Sequence, residues 1–115
     1  MGKTGLLFSG QGSQYIEMGL DLYNQYEIVR DTYDKASRIF GFDVMDESKT
    51  GENFMQTGYS QPCVFTLSLA VFELLKANRF VFDGVCGFSL GECTALYAGG
   101  VTSLSDTIKI VNYRS

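Results

Sequence analysis

The sequence predicts an α/β fold in which a short parallel sheet is flanked by helices. Two short apolar runs that close on glycine, "TGLLFSG" and "FDGVCG", are typical of buried strands. The segments between and after them carry apolar residues at three-to-four spacing, which is typical of helices. Strands that alternate with helices favour parallel pairing.

The first helical segment follows a glycine-rich turn and runs from Leu20 to Gly41. Apolar residues recur along it at three-to-four spacing, namely Ile28, Val29, Tyr33, Ala36, Ile39 and Phe40. Gly41 stands where a C-cap residue belongs. The next stretch, "FDVMDESKTGENFMQTGY", is polar and without period. It predicts a loop that contains one short turn of helix.

A second helix is expected from Cys63 to Asn78, with Ser60 as its cap and Pro62 at an early position that needs no N–H. It is apolar on nearly all sides until Glu73, which is typical of a central, buried helix.

A third helix is expected from Leu90 to Ala98, ended by a glycine pair. Ser103 and Asp106 form a capping-box pattern that begins a last helix. Two strands are too few for a stable sheet of this class. Residues 1–115 are therefore expected to form one partial domain that is incomplete at its C-terminus.

Composition excludes several classes of function. The net charge of −4 and the scattered basic residues argue against nucleic acid and anionic membranes as partners. No apolar run has the length of a membrane span or of a signal peptide core. Three cysteines without paired spacing, in a chain without histidine, make a metal site improbable. Buried reduced thiols in a cytoplasmic protein are expected instead.

The pattern Gly-Phe-Ser-Leu-Gly after the second strand carries the candidate chemistry. Glycines at 87 and 91 permit a sharp strand-to-helix turn that presents the Ser89 hydroxyl as a nucleophile. The N–H of Leu90, at the start of the helix, can stabilise an oxyanion. From the context alone, an alternative in which Ser89 merely caps the helix has equal weight.

A second turn, "FSGQGSQ", also leaves the end of a strand. In a parallel sheet both turns open on one edge, so the N–H of Gln11 can meet that of Leu90 across a shared cleft. The turn has neither G-x-G-x-x-G nor a Walker lysine, so nucleotide binding is not expected.

Four motifs in register, "FSGQGSQYIEMG", "YSQP", "GFSLGECTALYAGGV" and "IVNYRS", resemble the malonyl-CoA:acyl carrier protein transacylase family. The likeness runs from Gly5 to Ser115. It implies the N-terminal part of an α/β-hydrolase-like large subdomain, with the ferredoxin-like small subdomain absent. The implied reaction moves a malonyl group from malonyl-CoA to the phosphopantetheine thiol of acyl carrier protein, without a further cofactor.

The resemblance also implies roles for single residues. Ser89 corresponds to the nucleophile that forms the acyl ester, while Gln11 and Leu90 supply the oxyanion-hole N–H groups. Gln61 corresponds to a glutamine that lines the cleft. Arg114 corresponds to the arginine that binds the malonyl carboxylate, and its two-pronged guanidinium suits that group.

Two departures from the family pattern leave alternatives open. Phe88 stands where the family usually has histidine, and the family's base histidine lies in a second half that these residues do not include. One alternative is therefore a catalytically inactive piece with an interaction role. Either way, a complementary C-terminal half or self-association is expected. A carboxylesterase or thioesterase fits Ser89 but leaves Arg114 without a role.

Overall fold

The structure is a computed structural model that describes residues 5–8, 14–78, 84–87, 94–95 and 97–114, with the backbone alone at 6–8, 84–87 and 114. Residues 94, 95, 97 and 98 are helical. The other elements, in chain order, are β1 (Gly5–Phe8), α1 (Leu20–Gln25), α2 (Glu27–Phe40), α3 (Val44–Thr50), α4 (Thr57–Ala77), β2 (Gly84–Gly87) and α5 (Leu104–Arg114).

The two strands pair in parallel. Gly5 lies opposite Gly84, and Phe8 lies opposite Gly87. The last residues of both strands are thus partners in the register, so the chain leaves β1 and β2 at the same edge of the pair.

The long helix α4 occupies the centre of the helical layer, and α2, α3 and α5 all pack against it. Its buried side chains include Phe65 and Leu69, and exposure is confined mainly to its two ends. The predicted burial of this helix is confirmed. The core consists of these residues and of those facing them: Met18, Val29, Tyr33, Ala36, Val44, Met45, Cys63, Val64, Phe65, Leu69, Ala70, Ile108 and Val111.

The start of α4 differs from the sequence prediction. The helix begins at Thr57, with Gln56 as its N-cap, so Ser60 is a buried helical residue and not a cap. Pro62 is the sixth residue of the helix. A proline there removes one hydrogen bond to the carbonyl four residues earlier. That carbonyl belongs to Gly58, in the exposed first turn, where water can replace the lost partner.

The single helix predicted from Leu20 to Gly41 is wrong, because the chain breaks at Tyr26. That residue is extended, with φ −122° and ψ 124°, and it separates α1 from α2. Nη1 of Arg30 donates to the carbonyls of Tyr23 (2.8 Å) and Asn24 (3.2 Å), two acceptors that the end of α1 leaves without helical partners. The predicted C-cap is confirmed: Gly41 is left-handed, with φ 86°.

The stretch predicted as a loop contains a full helix, α3. Asp43 begins it by accepting a hydrogen bond from the N–H of Asp46 at 3.0 Å, and Gly51 ends it in the left-handed conformation. Glu47 is buried, and its carboxylate accepts the N–H of Asn53 at 2.6 Å. The polar composition of α3 gives no hydrophobic period from which to predict a helix. Its polar groups can be buried because local hydrogen bonds satisfy them.

The start of α5 agrees with the capping pattern. The hydroxyl of Ser103 accepts a hydrogen bond from the N–H of Asp106 at 3.1 Å. Ile108 and Val111 then anchor the helix in the core. Within the described part of the chain, no helix is both long enough and apolar enough to cross a membrane.

Among the glycines whose surroundings the structure describes, Gly19 has the closest contact to an added methyl group. Its φ is +79°, and a Cβ there would lie 2.6 Å from the Tyr33 hydroxyl and 2.9 Å from Leu67. Left-handed backbone alone disfavours alanine by about 1–2 kcal/mol. We therefore expect Gly19→Ala to lower the free energy of unfolding in urea by at least that amount.

Gly58→Ala is the matched control for that variant. Gly58 is helical, and no side chain other than those of its two chain neighbours lies within 4 Å of the position of its Cβ. Alanine favours a helix by up to about 1 kcal/mol over glycine, so this variant should be neutral or more stable. Equal losses in the two variants would contradict the steric account of Gly19.

Candidate active site

The nucleophile turn and the oxyanion turn lie outside the described residues, since Gln11, Ser89 and Leu90 fall in the stretches 9–13 and 88–93. The structure fixes the strands that lead into both. Phe8, three residues before Gln11, is the register partner of Gly87, two residues before Ser89. The two turns thus start from adjacent positions on neighbouring strands, which are about 5 Å apart in a sheet.

Gln61 lies in the second turn of α4. Its side chain is half-buried, between the fully buried Ser60 and the buried Pro62. Nearby, the ring of Tyr59 packs on Phe42, with ring centroids 5.0 Å apart. These contacts fix the first two turns of α4 against the segment between α2 and α3, so the backbone that carries Gln61 is held in place by packing.

Arg114 is the last residue of α5, a helix that contacts both α2 and α4. Helical spacing places this position between Ile110, four residues earlier and 40% exposed, and the fully buried Val111, three residues earlier. Tyr113 is 93% exposed on the outer side of the helix. An open groove of about 460 Å³ runs along that outer side, lined by Thr102, Asp106, Lys109, Ile110 and Tyr113. Gln61 and Arg114 therefore belong to helices in contact, and Arg114 ends the one whose outer side is open.

A second groove, of about 410 Å³, lies between α2 and α5. Its lining combines the apolar Ile39, Leu104 and Ile108 with the basic Lys35 and Arg38 and with Ser105. Gln61, the predicted site residue whose side chain the structure describes, does not line this groove.

Sequence reasoning missed a polar cluster beside the helix that follows Ser89. The hydroxyl of Tyr97 donates to Oε1 of Glu73, in α4, at 2.5 Å. The ammonium of Lys76 lies 3.5 Å from the same hydroxyl and 5.6 Å from the ring centroid. Burial, the hydrogen bond to Glu73 and the charge of that carboxylate, in this order, raise the pKa of Tyr97 above its ordinary value. Tyr97 and Glu73 are 24 positions apart in the sequence, so no periodic pattern predicts their contact.

Cys63 is a core thiol and not a nucleophile. Its side chain is fully buried, and its Sγ donates to the carbonyl of Val44 at 3.8 Å. Burial raises the pKa of this thiol to about 11. Cys86 and Cys93, for which buried thiols were also expected, have no described side chains. Within the described ranges, histidine, cysteine and acidic side chains form no group of three that could hold a metal ion.

The acyl transferase domain family matches residues 6–115. The chain belongs to this family. The malonyl CoA-acyl carrier protein transacylase of Synechocystis sp. is 37% identical over 114 residues, which are 98% of this chain. A crystal structure of MCAT from Streptococcus pneumoniae superposes with a TM-score of 0.90 at 42% identity over 97% of this chain. The predicted family resemblance is thereby confirmed.

A third relative was solved with a partner. The structure of a type II polyketide synthase acyl-carrier protein in complex with its malonyl-transacylase matches this acyl transferase domain with a TM-score of 0.88. The identity is 27%, and the match covers 98% of this chain and 38% of that one. The chain likewise spans 39% of the Synechocystis protein and 37% of the Streptococcus protein. These neighbours confirm an α/β acyltransferase fold for the matched part.

The reactivity of Cys63 tests its assignment to the core. At pH 9 an ordinary thiol with a pKa of 9.0 is half ionised, whereas a thiol with a pKa of about 11 is about 1% thiolate. We expect iodoacetamide at pH 9 to alkylate Cys63 at least about fifty times more slowly in the folded chain than in guanidinium, as followed by peptide mass spectrometry. Similar rates in the two states would contradict its burial.

Proposed function

We propose that this acyl transferase domain takes part in moving a malonyl group from malonyl-CoA to the phosphopantetheine thiol of acyl carrier protein. The reaction proceeds through an ester on Ser89 and uses no cofactor beyond the acyl donor. Support comes from the name of the Synechocystis relative and from the relative solved with its acyl-carrier protein.

The observation that carries the proposal is the parallel register that pairs Phe8 with Gly87. It starts the two predicted turns at one edge of the sheet. Ligands of open α/β sheets bind at the carboxyl ends of the strands, where such turns lie. The N–H groups of Gln11 and Leu90 are then available to one oxyanion, beside the hydroxyl of Ser89.

The proposed chemistry has two transfers. The Ser89 hydroxyl attacks the thioester carbonyl, the new C–O bond forms, and the C–S bond breaks to release the coenzyme A thiolate. The thiol of acyl carrier protein then attacks the ester and restores the hydroxyl. Both steps need a base that takes the proton of the attacking group.

The charge of the acyl group sets the proposed roles of the remaining residues. A malonyl group carries a second carboxylate, for which the guanidinium of Arg114, the last residue of α5, is the binding group. Gln61 lines the same cleft from α4. The α/β-hydrolase-like character of the whole large subdomain, and the place of a ferredoxin-like small subdomain outside these residues, are parts of the same proposal.

A second candidate is a piece that is inactive alone and acts by interaction. The 115 residues contain no histidine, so the usual partner of a serine nucleophile must come from elsewhere. Three apolar side chains on or near α5 are exposed and offer a surface to a protein partner: Val101 (71% exposed), Ile110 and Tyr113. We propose a complementary C-terminal half, or a second copy, as the partner of this surface.

Labelling of Ser89 tests the enzymatic proposal. The chain, co-expressed with the C-terminal portion of the Synechocystis relative, should gain one malonyl group on the Ser89 peptide after incubation with malonyl-CoA. Ser89→Ala should gain none. The chain alone should react at least about 100-fold more slowly, because it lacks a base. An unmodified Ser89 peptide in a stable, folded complex would exclude the ester mechanism.

Replacement of Arg114 tests the role of the second carboxylate. Charged hydrogen bonds contribute about 1.5–3 kcal/mol, so Arg114→Ala in the completed enzyme should lower kcat/KM for malonyl-CoA by roughly 10- to 150-fold. Acetyl-CoA, which has no second carboxylate, should lose little.

Lys49→Ala is the matched control, because it removes an exposed cation from α3 that lines neither of the two grooves described above. It should change neither rate. If the two donors lost rate equally in Arg114→Ala, Arg114 would not be the carboxylate-binding group.

A further inference from the structure

The stretch 88–93, which contains Ser89, runs between two anchored elements. Before it, Gly87 ends β2 and is paired with Phe8 of β1. After it come the helical residues 94, 95, 97 and 98. Thr94 is fully buried in this helical segment, and Tyr97 is half-buried. The position of the serine turn therefore depends on what holds this segment.

Tyr97 attaches the segment to α4 through two kinds of contact. Its ring meets Phe72 edge-on, with centroids 5.6 Å apart and planes at 81°. Its hydroxyl donates a hydrogen bond to Oε1 of Glu73 at 2.5 Å. The ring contact sets how close the helical segment lies to α4, while the directional hydrogen bond fixes how the segment is rotated.

The described helical segment begins at Thr94, five residues after Ser89. A rotation of this segment therefore shifts the point at which the stretch 88–93 ends, relative to the end of β2 where it starts. Displacements of about 1 Å in a reacting group can cost roughly 100-fold in rate.

We propose that Tyr97 is a positioning residue for the Ser89 nucleophile, acting through its hydrogen bond to Glu73. The proposal rests on the function proposed above, and it adds a residue that the sequence motifs do not contain. Helix α4 is the fixed body in this arrangement, because its flanks pack on α2, α3 and α5. Lys76 supports the cluster from the exposed side, since its ammonium lies over the ring and near the hydroxyl.

Kinetics of the completed enzyme test the consequence for Ser89. Tyr97→Phe keeps the ring and removes the hydroxyl. It should lower the single-turnover rate of Ser89 malonylation roughly 3- to 10-fold with an unchanged KM for malonyl-CoA. Glu73→Ala should give the same loss, the double variant should lose no more, and Glu73→Gln, which keeps an accepting oxygen, should retain most of the rate.

Tyr23→Phe is the matched control. It also removes a tyrosine hydroxyl from an edge-on ring pair, because the ring centroids of Tyr23 and Tyr33 lie 5.5 Å apart. Tyr23 belongs to α1 and is not part of the Tyr97–Glu73 contact. It should leave the malonylation rate unchanged. If Tyr97→Phe lowered only the melting temperature, with a rate equal to that of Tyr23→Phe, the positioning role would be overturned.

Hydrogen exchange of the 115-residue chain tests the anchor without any activity. In Tyr97→Phe, peptides that cover residues 88–98 should exchange at least about 3-fold faster than in the unchanged chain, while those of α2 should not change. Unchanged exchange at 88–98 would overturn the proposal. If the completed unmutated enzyme took no malonyl group, the proposed function would fail. The exchange rates at 88–98 would still show whether the Tyr97–Glu73 hydrogen bond holds this stretch.

Discussion

The structure depends on the burial of one helix. The residues of α4 are apolar on nearly all sides, so the helix is stable only when other elements cover it. Within the described residues, α2 packs along it, α3 covers its first half, and α5 adds a further side. The buried Phe65 and Leu69 mark the middle of this contact. Each of the smaller helices gains most of its stability from that shared core, since helices of 7 to 14 residues are marginal alone.

The same helix also carries the groups that organise the candidate site. Gln61 lies near its start, and Glu73, the acceptor of the Tyr97 hydroxyl, lies near its end. α5, which ends at Arg114, packs against it. The buried helix α4 thus carries Gln61, holds the helical segment that contains Tyr97, and packs against α5, which ends at Arg114.

Polar residues account for the places where sequence patterns failed. Tyr26 interrupts what reads as one amphipathic helix, because Arg30 reaches back to the carbonyls at the end of α1. The polar stretch after Gly41 forms α3, because Asp43 caps it and Glu47 is satisfied by Asn53. In both cases a hydrogen bond between residues three to seven positions apart decides the backbone. Hydrophobic periodicity does not report such bonds.

The sequence by itself determined the strands' apolar character, the buried nature of α4, the Gly41 and Ser103 caps and the family motifs that carry Gln11, Ser89 and Arg114. These are local or periodic properties, set by side-chain polarity and backbone preference over a few residues. Only the tertiary structure decided the register of β1 with β2, the true bounds of α1 to α4 and the Tyr97–Glu73 hydrogen bond. Those features join residues that are distant in the chain, and contacts of that kind exist only after α4 is covered and the strands have paired.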